Sequence, residues 1–296
     1  GLPEQDVVAT ERHCAADEVL KEQIKADPSL RQRMDAIEEF TQRVAANPEQ
    51  FRLVNGIIEI PVVFNVLYRT AAQNVSLTQL QSQIDVLNED FAATNADYNL
   101  TSTYNSVKAG NIGVRFVLDQ VKRRSTTKTS WSTNDAMKKS AQGIAPTSPT
   151  TKLNIWVCNM GGGILGYAQF PGGSSATDGV VLDDNATGRT GTAAAPFNKG
   201  RTATHEVGHW MNLRHIWGDA TCGNDQVGDT PTHNTANYGC PAAGHLSTCS
   251  GTPVEMTMNY MDYTDDACMY MFSLGQKSRM LAVFATGGPR NSFAQP

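Results

Sequence analysis

Four side chains in one eleven-residue run can do chemistry together: His205, Glu206, His209 and His215. His205 and His209 are four apart, so on a helix their imidazoles share one face, a turn from each other. Two neutral imidazoles so placed can take one zinc ion, and Glu206 beside the first is close enough to polarise a water there. His215 lies six residues past His209, and a helix that ran on would carry it away from the metal. Asn212 stands between them, and Asn enters the left-handed conformation that ends a helix more readily than any residue but Gly. The chain can bend there and return His215 as a third ligand. Three histidines with one position left open describe a catalytic zinc site, not a structural one. A single His is more often a core or surface residue, and a lone His-Glu-x-x-His arises by chance. The third His at this spacing makes the pattern far more specific.

Other residues could serve such a site. Cys14, in Arg12-His13-Cys14-Ala15-Ala16-Asp17, has no evident partner. A thiolate is a better zinc ligand than water, so Cys14 at the fourth position would hold the site latent; an idle or intermolecular thiol is the competing reading. Arg12 and Asp17 are candidates to pin that segment by ion pairs. In Asn224-Asp225-Gln226-Val227-Gly228-Asp229-Thr230, hard oxygen donors suit calcium. The candidates are the Asp225 and Asp229 carboxylates and the carbonyls of Asn224, Val227 and Thr230, against a plain Asx-type turn. Cys222, Cys240, Cys249 and Cys268 crowd the same region. They suggest two disulfides, with three connectivities open. A second zinc site is weaker, because no Cys-x-x-Cys pair is present. Cys158 sits in an apolar run and reads as a buried free thiol.

The run from His205 resembles the metzincin motif His-Glu-x-x-His-x-x-Gly-x-x-His, with Asn212 where Gly is usual. Followed by Leu213-Arg214-His215-Ile216-Trp217-Gly218-Asp219, it resembles the pappalysin family. The resemblance implies a secreted zinc endopeptidase with a cleft between two lobes. It implies Glu206 as general base and Cys14 as a cysteine switch in a zymogen. Asn259-Tyr260-Met261-Asp262-Tyr263 resembles the Met-turn: Met261 as an apolar floor beneath the zinc, Tyr263 as donor to the oxyanion, core packing being the bland reading of both. Asp266 matches a position at the base of the pocket for the residue after the scissile bond. A carboxylate there implies cleavage before Arg or Lys. The resemblance also implies pairing of Cys222 with Cys249 and Cys240 with Cys268, calcium in the 224–230 loop, and an edge strand at Gly166-Tyr167-Ala168 that binds substrate backbone.

These groups need elements to hold them. Ile57 to Tyr68 reads as a strand, as do 114–118, the more buried 153–158, and 178–183. Ser76 can cap a helix whose stripe is Leu77, Leu80, Ile84, Leu87 and Phe91, packed behind the sheet. Gly161 to Pro171 reads as a glycine loop and edge strand. Lys122-Arg123-Arg124 reads as a solvated turn within a loop-like 122–150. Strands alternating with helices imply an α/β, metzincin-like upper lobe, with a mostly parallel twisted sheet, a backing helix and the zinc helix. Residues 216–255 show little periodicity and need the disulfides as staples; a last helix runs from about Leu274 to Phe284.

The expected division is a latency segment over 1–34, an upper subdomain over 35–215 and a lower one over 216–296. Asp27 to Arg33 reads as an exposed, cleavable turn, with activation near 30–35. The amphipathic run 34–44, bearing Ile37, Phe40 and Val44, would then open the mature enzyme. The net charge of −5 argues against a general nucleic-acid binder, and no apolar run reaches a membrane span. Gly1-Leu2-Pro3 reads as a processed start. Protein and peptide substrates are the expected partners, outside the cell. The rival reading is a non-catalytic secreted zinc- or protein-binding module on the same fold.

Overall fold

The computed structural model describes residues 9–47 and 56–294. Its centre is a five-stranded sheet in the order β2-β1-β3-β5-β4, formed by β1 (Ile58–Tyr68), β2 (Val114–Ser125), β3 (Leu153–Cys158), β4 (Gly166–Ala168) and β5 (Val180–Asp183). All neighbours run parallel except β4, which pairs antiparallel with β5 and leaves its other edge toward the cleft. β1 and β3 are apolar on both faces because both faces are covered, as a central parallel strand requires.

One face carries α3 (Leu77–Ala92) and α4 (Arg201–Trp210). Ser76 caps α3 by accepting from Gln79 N–H, and Leu80, Ile84, Leu87 and Phe91 pack on the inward residues of β1. On the opposite face, Trp156 and Cys158 of β3 meet Trp131 and Met137 from the long 126–150 segment. The lower lobe is irregular until α5 (Leu274–Ala282), which opens with a capping box at Ser273 and Gln276. Disulfides join Cys222 to Cys249 and Cys240 to Cys268; Cys14 and Cys158 are free and buried. No described helix is long and apolar enough to cross a membrane.

Three expectations need correction. The exposed turn at 27–33 is instead the start of a helix, α2 (Ser29–Ala46), following a first one, α1 (Ala16–Ala26). Pro28 is the reason: its fixed φ suits the first turn of a helix, and Asp27 accepts from Ser29 N–H at 3.2 Å. A division at residue 34 therefore cuts through a helix. Lys122-Arg123-Arg124 is not a turn but the continuation of β2, which stays in register with β1 as far as Tyr68 opposite Ser125. On an edge strand the outer side faces water, so charged residues are tolerated there. Finally, residues 34–44 do not start a separate element. They continue α2, which packs beside α5, while α1 packs on α2 and β4.

Candidate active site

α4 presents the first two histidines. Every residue of this helix is buried between the sheet and the lower lobe, so its polar side chains must find partners inside. Asn212 ends it at φ +77, and Leu213 N–H returns to Gly208 O at 2.9 Å. This left-handed turn brings His215 back. The Nε2 atoms of His205 and His215 lie 3.2 and 3.1 Å from that of His209. Each Nδ1 is fixed from behind: His205 by Tyr260 O at 2.6 Å, His209 by Leu213 O at 2.7 Å, His215 by Asp219 Oδ1 at 2.6 Å. An Nδ1 that faces an oxygen carries the proton, so all three Nε2 lone pairs point at one spot. Three lone pairs so aimed repel one another unless a cation sits between them. Ligands about 2.0–2.1 Å from a tetrahedral zinc stand roughly 3.3 Å apart, close to the spacing seen. Burial, and then the neighbouring imidazoles, drive His205 and His209 well below the usual imidazole range, which favours the neutral, ligating form. The residues fit zinc.

Cys14 completes the group: its Sγ and the three histidine nitrogens all lie within 4.8 Å of one another. The segment bearing it lies along β4, bridged in parallel at Gly166. Leu165 N–H donates to His13 O at 2.9 Å and Ala15 N–H to Gly166 O at 3.0 Å. Tyr263 Oη donates to Cys14 O at 2.8 Å and accepts from Cys14 N–H at 3.1 Å. Burial, then the nearby Glu206 carboxylate, push the Cys14 thiol up, an effect that a cation at the histidines would reverse.

Glu206 is wholly buried, and the Cys14 thiol is the group beside it that hydrogen-bonds to its carboxylate. Burial pushes its pKa up to about 8. It lies under β4, where a Cβ on Gly166 would stand 3.3 Å from its Cγ. Met261 is buried and packs its sulfur against Gly208 of α4, 2.6 Å from where a Cβ would be.

Asp266 sits at the foot of α4. Its Oδ2 accepts from Lys199 N at 2.9 Å and Arg201 N at 3.2 Å, capping the helix, while Oδ1 accepts from Arg12 Nη2 at 2.5 Å. Arg12 also donates to Thr202 Oγ1 and Thr264 O, at 2.9 and 3.2 Å. Asp17, the other proposed pin, instead pairs with Lys21. Tyr167 is fully buried and its hydroxyl donates to Asp135, so of Gly166, Tyr167 and Ala168 the middle residue offers the cleft no side chain. In the 224–230 loop, Asp225 Oδ2 accepts from Thr230 Oγ1 at 2.6 Å, and that hydroxyl lies 3.2 Å from Val227 O. Asp229 turns to Gly275 N and Asn224 to Gln226 N, so the five candidates do not all converge.

Sequence reasoning missed Asp219, although its place four residues past His215 was a usable signal. It missed Thr202 and Thr264, which no local spacing marks, and Arg201, whose guanidinium ties α4 to Asp90 and Asp97 of the α3 region.

Comparison with known proteins bears on the same residues. The profile of the peptidase M43 family, described as pregnancy-associated plasma protein-A, matches residues 152–285. An extracellular metalloprotease of Pyricularia oryzae is 32% identical over 289 residues, 94% of this chain and 90% of the relative. Extracellular metalloprotease 1 of Coccidioides posadasii is 31% identical over 261 residues, 83% of this chain and 84% of its own. Among solved structures, mature mirolysin of Tannerella forsythia with a cleaved peptide is 44% identical with a TM-score of 0.77, covering 80% of this chain and 95% of that one. A promirolysin mutant from the same organism is 40% identical with a TM-score of 0.86, covering 95% and 97%. With likeness sustained over nearly whole chains, on a three-histidine site that fits zinc, this chain belongs to the M43, or pappalysin, family of extracellular metalloproteases.

Proposed function

We propose that the chain is the latent form of a zinc endopeptidase that cuts on the amino side of basic residues. The observation carrying this is Arg12, seated on buried Asp266 while Cys14, two residues on, faces the three histidines. The segment fills the cleft as a substrate side chain would, with a thiol where the scissile bond's chemistry takes place.

Zinc held by His205, His209 and His215 supplies positive charge that acidifies water and steadies the negative charge developing on the carbonyl oxygen. Once residues 9–16 leave, Leu165 N–H and Gly166 O of the edge strand are free to pair with substrate backbone. Glu206 takes a proton from the attacking water as its oxygen bonds to the carbonyl carbon. It then gives a proton to the departing amine nitrogen as the C–N bond breaks. Tyr263, released from Cys14 O, turns its hydroxyl proton to the oxyanion. Asp266 pairs with the basic side chain after the scissile bond.

The latency segment, on this reading, runs to the end of α2 rather than to residue 34. Helical bonds at Arg31 and Arg33 cannot enter a cleft without unwinding. Between Ala46 and Ile58 the sequence holds one basic residue, Arg52, and the preference above points the activating cut to the bond before it. The 80% of this chain covered by mature mirolysin, against 95% by promirolysin, supports such a boundary. Calcium at Asp225, Thr230 and Val227 O is supported by the meeting of these three oxygen donors at the Thr230 hydroxyl. A rise in melting temperature with calcium, absent in Asp225→Asn, tests it.

The deciding experiment is a peptide library incubated with chain trimmed before Arg52, with and without a zinc-selective chelator. Cuts before Arg or Lys, abolished by chelator and by Glu206→Gln, are expected. Cuts indifferent to the following residue sink the Asp266 pocket, and an active Glu206→Gln sinks the base.

A further inference from the structure

The segment before residue 48 holds the molecule at two separate places. One is the cleft, through Arg12 and Cys14. The other lies outside it, along α2. The buried positions of α2 are Leu30, Met34, Thr41 and Val44, with Ile37 and Phe40 half-buried. Positions 30, 34, 37, 41 and 44 form one stripe on a helix. The stripe rests on a bed of small residues. At its amino end Leu30, Met34 and Ile37 lie over Gly172, where a Cβ would stand 3.0 Å from Ile37 Cδ1. At its carboxyl end Val44 packs on Ala282 and Ala285, and Phe40 comes within 3.3 Å of where a Gly287 Cβ would be. Both glycines have positive φ, +105 and +83, so neither could readily be replaced to close the gap.

Between these ends stands a buried cation. The Arg279 side chain is 3% exposed, and its Nη1 lies 2.8 and 3.0 Å from the two carboxylate oxygens of Glu38. Its Nε donates to Asn212 O, and Nη2 has no hydrogen-bond partner among the described residues. When α2 leaves, a groove floored by glycine and alanine remains, with a guanidinium at its middle that has lost its carboxylate. Both features select the same guest: an amphipathic helix with one acid beside its apolar stripe.

We propose that this groove persists on the mature enzyme as an exosite, and that its occupant is the released α1–α2 segment, which rebinds in trans and brakes the enzyme that freed it. The proposal rests on the reading of Arg12 and Cys14 as the cleft plug. It adds that the plug is weak alone and that α2 supplies the grip. Two linked contacts raise overall affinity well beyond either one.

Synthetic peptides test this on mature enzyme with a short chromogenic substrate. Residues 9–47 should inhibit roughly a hundredfold more tightly than residues 9–27, as expected for a second linked site. Residues 28–47 should bind, by fluorescence anisotropy, without inhibiting. A 9–47 peptide carrying Glu38→Gln should lose about tenfold or more of the affinity. Since α2 alone could fail to form a helix, a second arm changes the enzyme: Ala285→Glu should weaken 9–47, leave 9–27 unchanged and leave turnover of the short substrate intact. Equal inhibition by 9–27 and 9–47 overturns the proposal, as does an Ala285→Glu enzyme that loses only folded protein substrates, which assigns the groove to them. Binding of 28–47 with no inhibition by 9–27 or 9–47 overturns the brake and, with it, the cleft reading of Arg12 and Cys14.

Discussion

Replacing Asp266 by Asn isolates one charge at the centre of the specificity argument. Both partners of the Arg12–Asp266 pair are desolvated, with side chains 1% and 0% exposed, so water screens the pair little. Removing one charge from a buried, hydrogen-bonded pair costs about 2–5 kcal/mol, or roughly 30- to 5,000-fold in a rate or equilibrium constant. Asn keeps an oxygen for Lys199 N–H and Arg201 N–H, so the cap of α4 survives, which places the effect toward the lower end, about 100-fold. The assay compares kcat/KM for two peptides identical except for Arg or citrulline after the scissile bond. Citrulline keeps the shape and loses the charge. Wild-type enzyme should prefer Arg by about that factor, and Asp266→Asn should bring the ratio near one. The ratio is insensitive to general damage, because both peptides meet the same protein. A ratio unchanged within about threefold, roughly 0.6 kcal/mol, would refute the reasoning.

Other outcomes follow from the same geometry. Lys should serve about tenfold less well than Arg in that pocket, because Arg12 reaches three acceptors with three nitrogens and an ammonium cannot match the fork; kinetics on paired peptides decide it. A Cys14→Ala zymogen should activate itself faster, read as the time course of the mature band on a gel, and unchanged kinetics count against the switch. Gly166→Ala puts a methyl 2.5 Å from Val181 O, a backbone atom that cannot rotate away; the overpacking should cost about 1–3 kcal/mol and lower activity with it, seen as a drop in melting temperature and in kcat/KM. Lys138, 1% exposed, donates to Asp135 and Thr177 O beside the rings of Trp156 and Tyr167. Through Tyr167 it holds the middle of β4, so Lys138→Met should raise KM more than it lowers kcat, and an unaltered KM would remove it from that role.

What could be read in the sequence was whatever one short stretch decides for itself. His205 to His215 is legible because helix geometry and one left-handed residue are local facts; the φ of +77 at Asn212 is the turn its residue type suggests. The sheet was legible for the same reason, strand by strand. Contacts between distant segments were not. Arg12 and Asp266 are 254 residues apart, and only the resemblance, not any spacing, pointed at the latter. One instructive error is of another kind. Asp27-Pro28-Ser29 was read as a turn to be cut, yet proline after a capping residue opens a helix as readily as it ends one. What settled the choice was the partner surface. Gly172, Gly287 and Arg279 become a groove only once the lobes are assembled, and a marginal amphipathic run becomes a helix where such a groove receives its stripe. The same dependence gives α2 its reach: a helix ordered by a surface outside the cleft can hold the segment in place without touching the chemistry.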